Sequence, residues 1–240
     1  MALPYFYVTD LSSSTLTLEE DTSKHIIQVL RMQLNEQLLL TDGKGKKATA
    51  VIIDDNRKRC TVKLTDVIHE PEKATGVTIG ISLVKNASRF EWFLEKATEI
   101  GVTEIIPLLC DRTEKEKFRH DRLQSILVSA MLQSQQCWLP VLHEPINFGE
   151  VVKQTTTANK FIAHCLPNEK QQLASTLAHH SPLTTQAAII LIGPEGDFTE
   201  KEIATALQLG FQPVALGNTR LRTETAGMVA ATLLCQLTSE

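Results

Sequence analysis

The feature that most constrains this chain is a change of pattern across one linker-like stretch, Glu70-Pro71-Glu72-Lys73-Ala74-Thr75-Gly76. Ahead of it, short β-prone segments alternate with turn residues. Residues 5–8, 15–18, 37–41, 48–53 and 60–67 read as strands, with Asp42-Gly43 and Asp54-Asp55-Asn56 as hairpin tips. One helix interrupts them, capped by Asp21, Thr22 or Ser23, with Ile26, Ile27, Val29 and Leu30 as its apolar side. A small, open β-barrel of five or six strands fits this pattern, and its size suits an accessory binding module. Beyond the linker, strands and helices alternate. A strand at 77–84 leads into a helix opened by Ser88 and Glu91 as a capping box, with Phe90, Phe93, Leu94 and Ala97 on one face and Gly101 at its stop. Strands at 104–108, 161–165, 187–192 and 213–216 follow. Between and after them come a helix marked by Leu123, Ile126, Leu127, Ala130 and Ser134, and helices at 168–178, 199–209 and 224–237. Such alternation predicts a mostly parallel sheet covered on both faces. The expected domains are therefore 1–72 and 73–240.

Composition removes several classes of function. The longest apolar run, 187–192, is far shorter than the roughly 20 residues of a membrane span. The first residues carry neither the basic nor the apolar region of a signal peptide. The cysteines are widely spaced and form no CxxC pair, so neither a zinc knuckle nor a disulfide framework is expected. The reading is a cytosolic, reduced, metal-free protein. Net charge is −4, divided as 9 − 11 = −2 over residues 1–72 and 15 − 17 = −2 over the rest. Positive charge is gathered only locally, at Lys44, Lys46 and Lys47 with Arg57, Lys58 and Arg59, and again along residues 112–122. Dinucleotide, P-loop and nucleophile-elbow fingerprints are absent, as is any paired-histidine metal spacing.

In open α/β sheets, ligands bind beyond the carboxyl ends of strands. Two such loops here are chemically unusual. Leu191-Ile192-Gly193-Pro194-Glu195-Gly196-Asp197-Phe198 ends a buried strand in two glycines around Pro-Glu, and Thr199 with Glu202 then forms a capping box. Its glycines permit close backbone approach to a ligand, and its two carboxylates suit a cation better than a phosphate. Leu216-Gly217-Asn218-Thr219-Arg220-Leu221-Arg222-Thr223-Glu224-Thr225-Ala226 packs two arginines, a glutamate and threonines between apolar walls. Either segment alone also reads as a well-capped helix start.

Taken in order, these segments resemble the signature of the RsmE family, bacterial 16S rRNA uridine-N3 methyltransferases of the SPOUT, or trefoil-knotted, superfamily. The middle of the chain agrees, in Arg89, Trp92, Lys96-Ala97-Thr98-Glu99, Gly101-Val102 and Glu104-Ile105-Ile106-Pro107-Leu108. So does the front, where His25, Val29-Leu30-Arg31-Met32 and Asp42-Gly43-Lys44-Gly45 resemble the family's PUA-like RNA-binding module. Two departures stand out: Asp197 replaces the second glycine of a GPEGG-type turn, and Gln136-Cys137 replaces a basic residue after Gln133-Ser134.

The resemblance implies an α/β chain with an N-terminal PUA-like small β-barrel and a C-terminal SPOUT domain with a deep trefoil knot. It implies S-adenosyl-L-methionine as cofactor, held by His164, Cys165, Leu166, Leu191, Ile192, Gly193, Pro194, Glu195, Gly196, Leu216, Gly217, Leu221, Arg222, Thr225 and Ala226. Arg222 is expected to stabilise developing negative charge, with Glu195 or Glu224 accepting the N3 proton. Arg31, Lys44, Lys46, Lys47, Arg89, Lys96 and Arg112 are the expected RNA contacts. The implied partners are 16S rRNA within the 30S subunit and a second copy of the chain, with neither DNA nor membrane, in the cytoplasm.

Overall fold

The computed structural model describes residues 3–73, 75–114, 117–166, 170–179 and 187–237. The chain divides into two compact units, residues 1–72 with 131–139 and residues 73–130 with 140–240.

In the first unit, β1 (Tyr5–Tyr7), β2 (Thr15–Thr17), β3 (Gln37–Thr41), β4 (Lys46–Asp54) and β5 (Thr61–His69) form one open sheet in the order β1-β3-β4-β5-β2. Only β1 and β3 pair in parallel; the remaining neighbours are antiparallel. Alternate side chains of β3 and β4 (Leu38, Leu40, Ala48, Ala50 and Ile52) are buried and meet Val62 and Ile26 in one core. The β3–β4 hairpin tip is tightly specified. Asp42 Oδ1 accepts the amide hydrogens of Lys44 and Lys46 at 2.8 and 3.1 Å, while Gly43 and Gly45 take φ of 67° and 88°. A Cβ on Gly45 would lie 2.5 Å from the Trp138 ring, so only glycine fits.

The helix of this unit differs from expectation. α1 (Glu20–Lys24) starts after Glu19 without a side-chain cap and passes into a π-helical turn, His25–Val29. Ser23 is not a cap; it is buried, donates to the Leu18 carbonyl and accepts the Cys60 amide. Because the π turn abandons the 3.6-residue period, Ile26 is buried while Val29 and Leu30 face solvent.

In the second unit, seven strands form one parallel path, β11-β13-β10-β12-β6-β7-β8. They are β6 (Val77–Ser82), β7 (Glu104–Leu109), β8 (Val141–Leu142), β10 (Asn159–Ala163), β11 (Gln171–Gln172), β12 (Ala188–Ile192) and β13 (Gln212–Ala215), with β9 (Ile146–Asn147) also pairing to β7. The helices are α2 (Ala87–Ile100), α3 (His120–Gln133), α4 (Phe148–Gln154), α5 (Leu173–His179), α6 (Glu200–Gln208) and α7 (Thr223–Leu237). β12 lies between β10 and β6 and is buried along its whole length, which is why its sequence is continuously apolar. Asn86, rather than Ser88, caps α2, its side chain accepting the Ser88 amide, and Gly101 closes the helix at φ 98°. The box on α6 forms as read, with Thr199 and Glu202 exchanging hydrogen bonds. Residues 167–169 lie outside the described residues, as do His180 and Lys115; the described part of the helix expected at 168–178 begins at Leu173.

Candidate cofactor cleft

Since β10, β12 and β13 are parallel neighbours, the loops that follow them open on the same edge of the sheet. Together with the start of α7 they enclose a cleft of about 1010 Å³. Its floor is the turn after β12. A Cβ on Gly193 would stand 3.0 Å from the Phe198 ring and 3.1 Å from the Phe198 nitrogen, so this turn is closed by bare backbone. Thr223 Oγ1 donates to the Gly193 carbonyl at 3.0 Å and fastens the start of α7 to the same turn. Arg112 Nη1 donates to the Gly196 carbonyl at 2.7 Å from outside.

The structure gathers most of the expected cofactor residues. His164, Cys165, Leu166, Ile192, Gly193, Pro194, Glu195, Leu216, Gly217, Leu221, Arg222 and Ala226 all line the cleft. Leu191 instead belongs to the core beneath it, and Gly196 packs against the Arg112 side chain. Neither Thr225 nor Glu224 is part of the lining. Glu224 is buried behind it, with Oε1 3.7 Å from Arg89 Nε and with Oε2 lacking a hydrogen-bond partner among the described residues. Arg89, expected at RNA, lines the cleft and reaches Glu195 at 3.3 Å. Arg222 and Arg220 are exposed and form no salt bridge among the described residues.

The other expected RNA residues divide by what already engages them. Lys96 is held by Glu95 and Glu99 at 2.7 and 2.9 Å. Lys47 lies over the Tyr5 ring at 5.3 Å from its centroid. Lys44 and Arg31 are exposed, Arg31 with φ of 57°. Asp197, read in the sequence as one of the two carboxylates of its loop, lines the cleft, and so does Lys170, which sequence reasoning missed. Nothing marks Lys170 in the sequence.

The lining fits a cationic nucleoside such as S-adenosylmethionine. Ile192, Val214, Leu216, Leu221 and Ala226 give apolar walls for a flat base, and Glu195 puts a carboxylate beside a cation. The volume is at the upper end of that of single-ligand sites, leaving room for a second reactant. His164 is 6% exposed, and among the described residues neither of its ring nitrogens has a partner. Burial pushes its pKa below the usual 6.5, helped by the Lys170 charge and opposed by Asp197, which favours the neutral ring.

Comparison with known proteins agrees with this geometry. The sequence model of the RNA methyltransferase domain matches residues 71–235, and that of the RNA methyltransferase PUA domain matches residues 18–65. The chain is 32% identical over 220 residues to ribosomal RNA small subunit methyltransferase E of Synechocystis, covering 90% of this chain and 71% of that protein. A crystal structure of a probable rRNA methyltransferase from Porphyromonas gingivalis superposes with a TM-score of 0.89 at 38% identity, covering 99% of both chains. Ribosomal RNA small subunit methyltransferase E from Neisseria gonorrhoeae, solved bound to S-adenosyl methionine, gives a TM-score of 0.82 at 30% identity, over 96% of this chain and 95% of that one. With both domain models matched in order and the glycine-floored cleft in place, this chain belongs to the ribosomal RNA small subunit methyltransferase E family.

Proposed function

We propose that this chain transfers the methyl group of S-adenosylmethionine to N3 of a uridine in the 16S rRNA of the small ribosomal subunit. The observation that carries the reading is the cleft itself: a bare-backbone floor at Gly193, apolar walls, and an Arg89–Glu195 pair at its rim. The cofactor supplies an activated methyl on a cationic sulfur. The protein must then align the two reactants in line and handle one proton. Uracil N3 is protonated at neutral pH. Glu195, with its side chain 47% exposed in the cleft, is the acceptor we assign, and Arg222 stabilises the negative charge that develops on the base. Glu224, buried behind the wall, holds Arg89 in place.

Residues 1–72 are assigned to RNA binding and 73–240 to catalysis, the latter with the trefoil threading that the family implies. The substrate is rRNA within the assembled 30S particle, encountered in the cytoplasm. The active form is a two-fold homodimer joined through the catalytic domain. The test is incubation of the protein with labelled cofactor and 30S subunits from a strain lacking it, followed by mapping of the modified base. Label at N3 of one uridine is expected, and a Gly193→Val control should bind no cofactor. Label on another base or atom would overturn the assignment.

A further inference from the structure

The wall of the cleft formed by residues 164–166 is held by two side chains of opposite charge. Asp197 Oδ2 accepts the Cys165 amide hydrogen at 2.8 Å, while its Oδ1 accepts the Phe198 amide at 2.9 Å. Lys170 Nζ donates to the carbonyls of His164 and Leu166, both at 2.6 Å. Three successive residues thus give their backbone polar groups alternately to an ammonium, a carboxylate and the same ammonium. All five residues line the cleft.

Each half of this arrangement is placed by the fold. β10 and β12 are adjacent and parallel, so the loop at 164–166 and the turn at 193–198 leave the sheet side by side. Asp197 spans the gap between them. It does so at φ 63°, in the left-handed region that glycine enters freely and that a side chain enters at a cost. A GPEGG-type turn would carry glycine here. The chain accepts the less favourable conformation and obtains a charged acceptor for an amide 32 residues away. No salt bridge joins Lys170 to Asp197 among the described residues; each is bonded to the backbone of the 164–166 loop.

We infer that Asp197 and Lys170 are positioning residues for the cofactor, holding the 164–166 wall in the shape that receives S-adenosylmethionine. The inference rests on the reading of the cleft as the cofactor site. Neither residue takes part in methyl transfer; each acts through the loop that it fixes.

The experiment measures S-adenosylmethionine binding by calorimetry, with amide hydrogen exchange at Cys165, in wild type, Asp197→Gly, Asp197→Asn, Lys170→Met and Lys170→Arg. Asp197→Gly removes the backbone cost and the hydrogen bond together. Its melting temperature without cofactor should stay level or rise, while its cofactor affinity falls by about tenfold, the scale of one charge-assisted hydrogen bond. Exchange at the Cys165 amide should quicken in the same variant. Asp197→Asn keeps a neutral acceptor and should fall between Asp197→Gly and wild type. Lys170→Met should weaken binding, and Lys170→Arg should restore part of the loss. Wild-type affinity and wild-type protection of Cys165 in both Asp197→Gly and Lys170→Met would overturn the inference while leaving the cofactor site intact. A wild-type protein that binds no S-adenosylmethionine would overturn the site, and the inference with it.

Discussion

His164 lines the cleft just beyond the end of β10. Its meaning depends on burial and on the two loops that close over it, and neither is a local property. The ring is buried with no hydrogen-bond partner among the described residues, and its pKa is depressed. Because the folded pKa lies below the unfolded value, the unfolded chain takes up the proton first as the pH falls. The stability associated with a neutral His164 is complete above about pH 6.5 and is lost as the pH falls toward the folded pKa. Thermal melts of wild type between pH 7.5 and 5.5 should therefore show a decline that is shallower in His164→Asn. Equal slopes in the two proteins would refute it. Arg89 shows the same limit of residue-level reading. It was expected at RNA as one of the chain's basic residues. Only folding across more than a hundred residues puts it against Glu195.

Elements were legible wherever a pattern ran long enough to have a period. α2, with Phe90, Phe93, Leu94 and Ala97 buried, is such a case, whereas β12 was legible as an unbroken apolar run. β8, β9 and α4 were missed because two-residue strands and a seven-residue helix carry too few positions to display one. α7 was visible as a helix, but its packing was not. Gly227 lies where a Cβ would come 2.7 Å from Phe93 Cε2 and 2.8 Å from Ile81 Cδ1, so this glycine lets α7 lie close to α2 and β6. Gly227→Ala gains about 1 kcal/mol of helix propensity. It also overpacks a site whose neighbours are 0% exposed, at a cost of about 1–3 kcal/mol. Overpacking should win. The expected result is a lower melting temperature, by about 2–4 °C for each kcal/mol of net loss. A higher melting temperature would show that Phe93 and Ile81 can yield.

For the whole molecule the question is how a chain of net charge −4 holds RNA. Many of the second unit's cations are already engaged: Arg89 by Glu195 and Glu224, Arg112 by the Gly196 carbonyl, Lys96 by Glu95 and Glu99, and Arg122 by both oxygens of Glu91. The first unit is different. Lys44, Lys46 and Lys47 sit on or beside a hairpin tip whose shape Asp42 fixes through backbone amides, so their ammonium groups are not needed to hold it. None of the three forms a salt bridge among the described residues. Each ammonium that reaches an RNA phosphate releases counterions and adds roughly 0.7–0.9 to the log–log salt slope. Changing all three to glutamine should weaken RNA binding and flatten the salt response by up to about 2–3 units, leaving S-adenosylmethionine affinity unchanged. Lys96→Gln is the contrasting case, since its charge is already balanced by two glutamates, and its slope should match wild type. A triple variant with wild-type slope, or a Lys96→Gln variant with a flattened one, would place the RNA on another face.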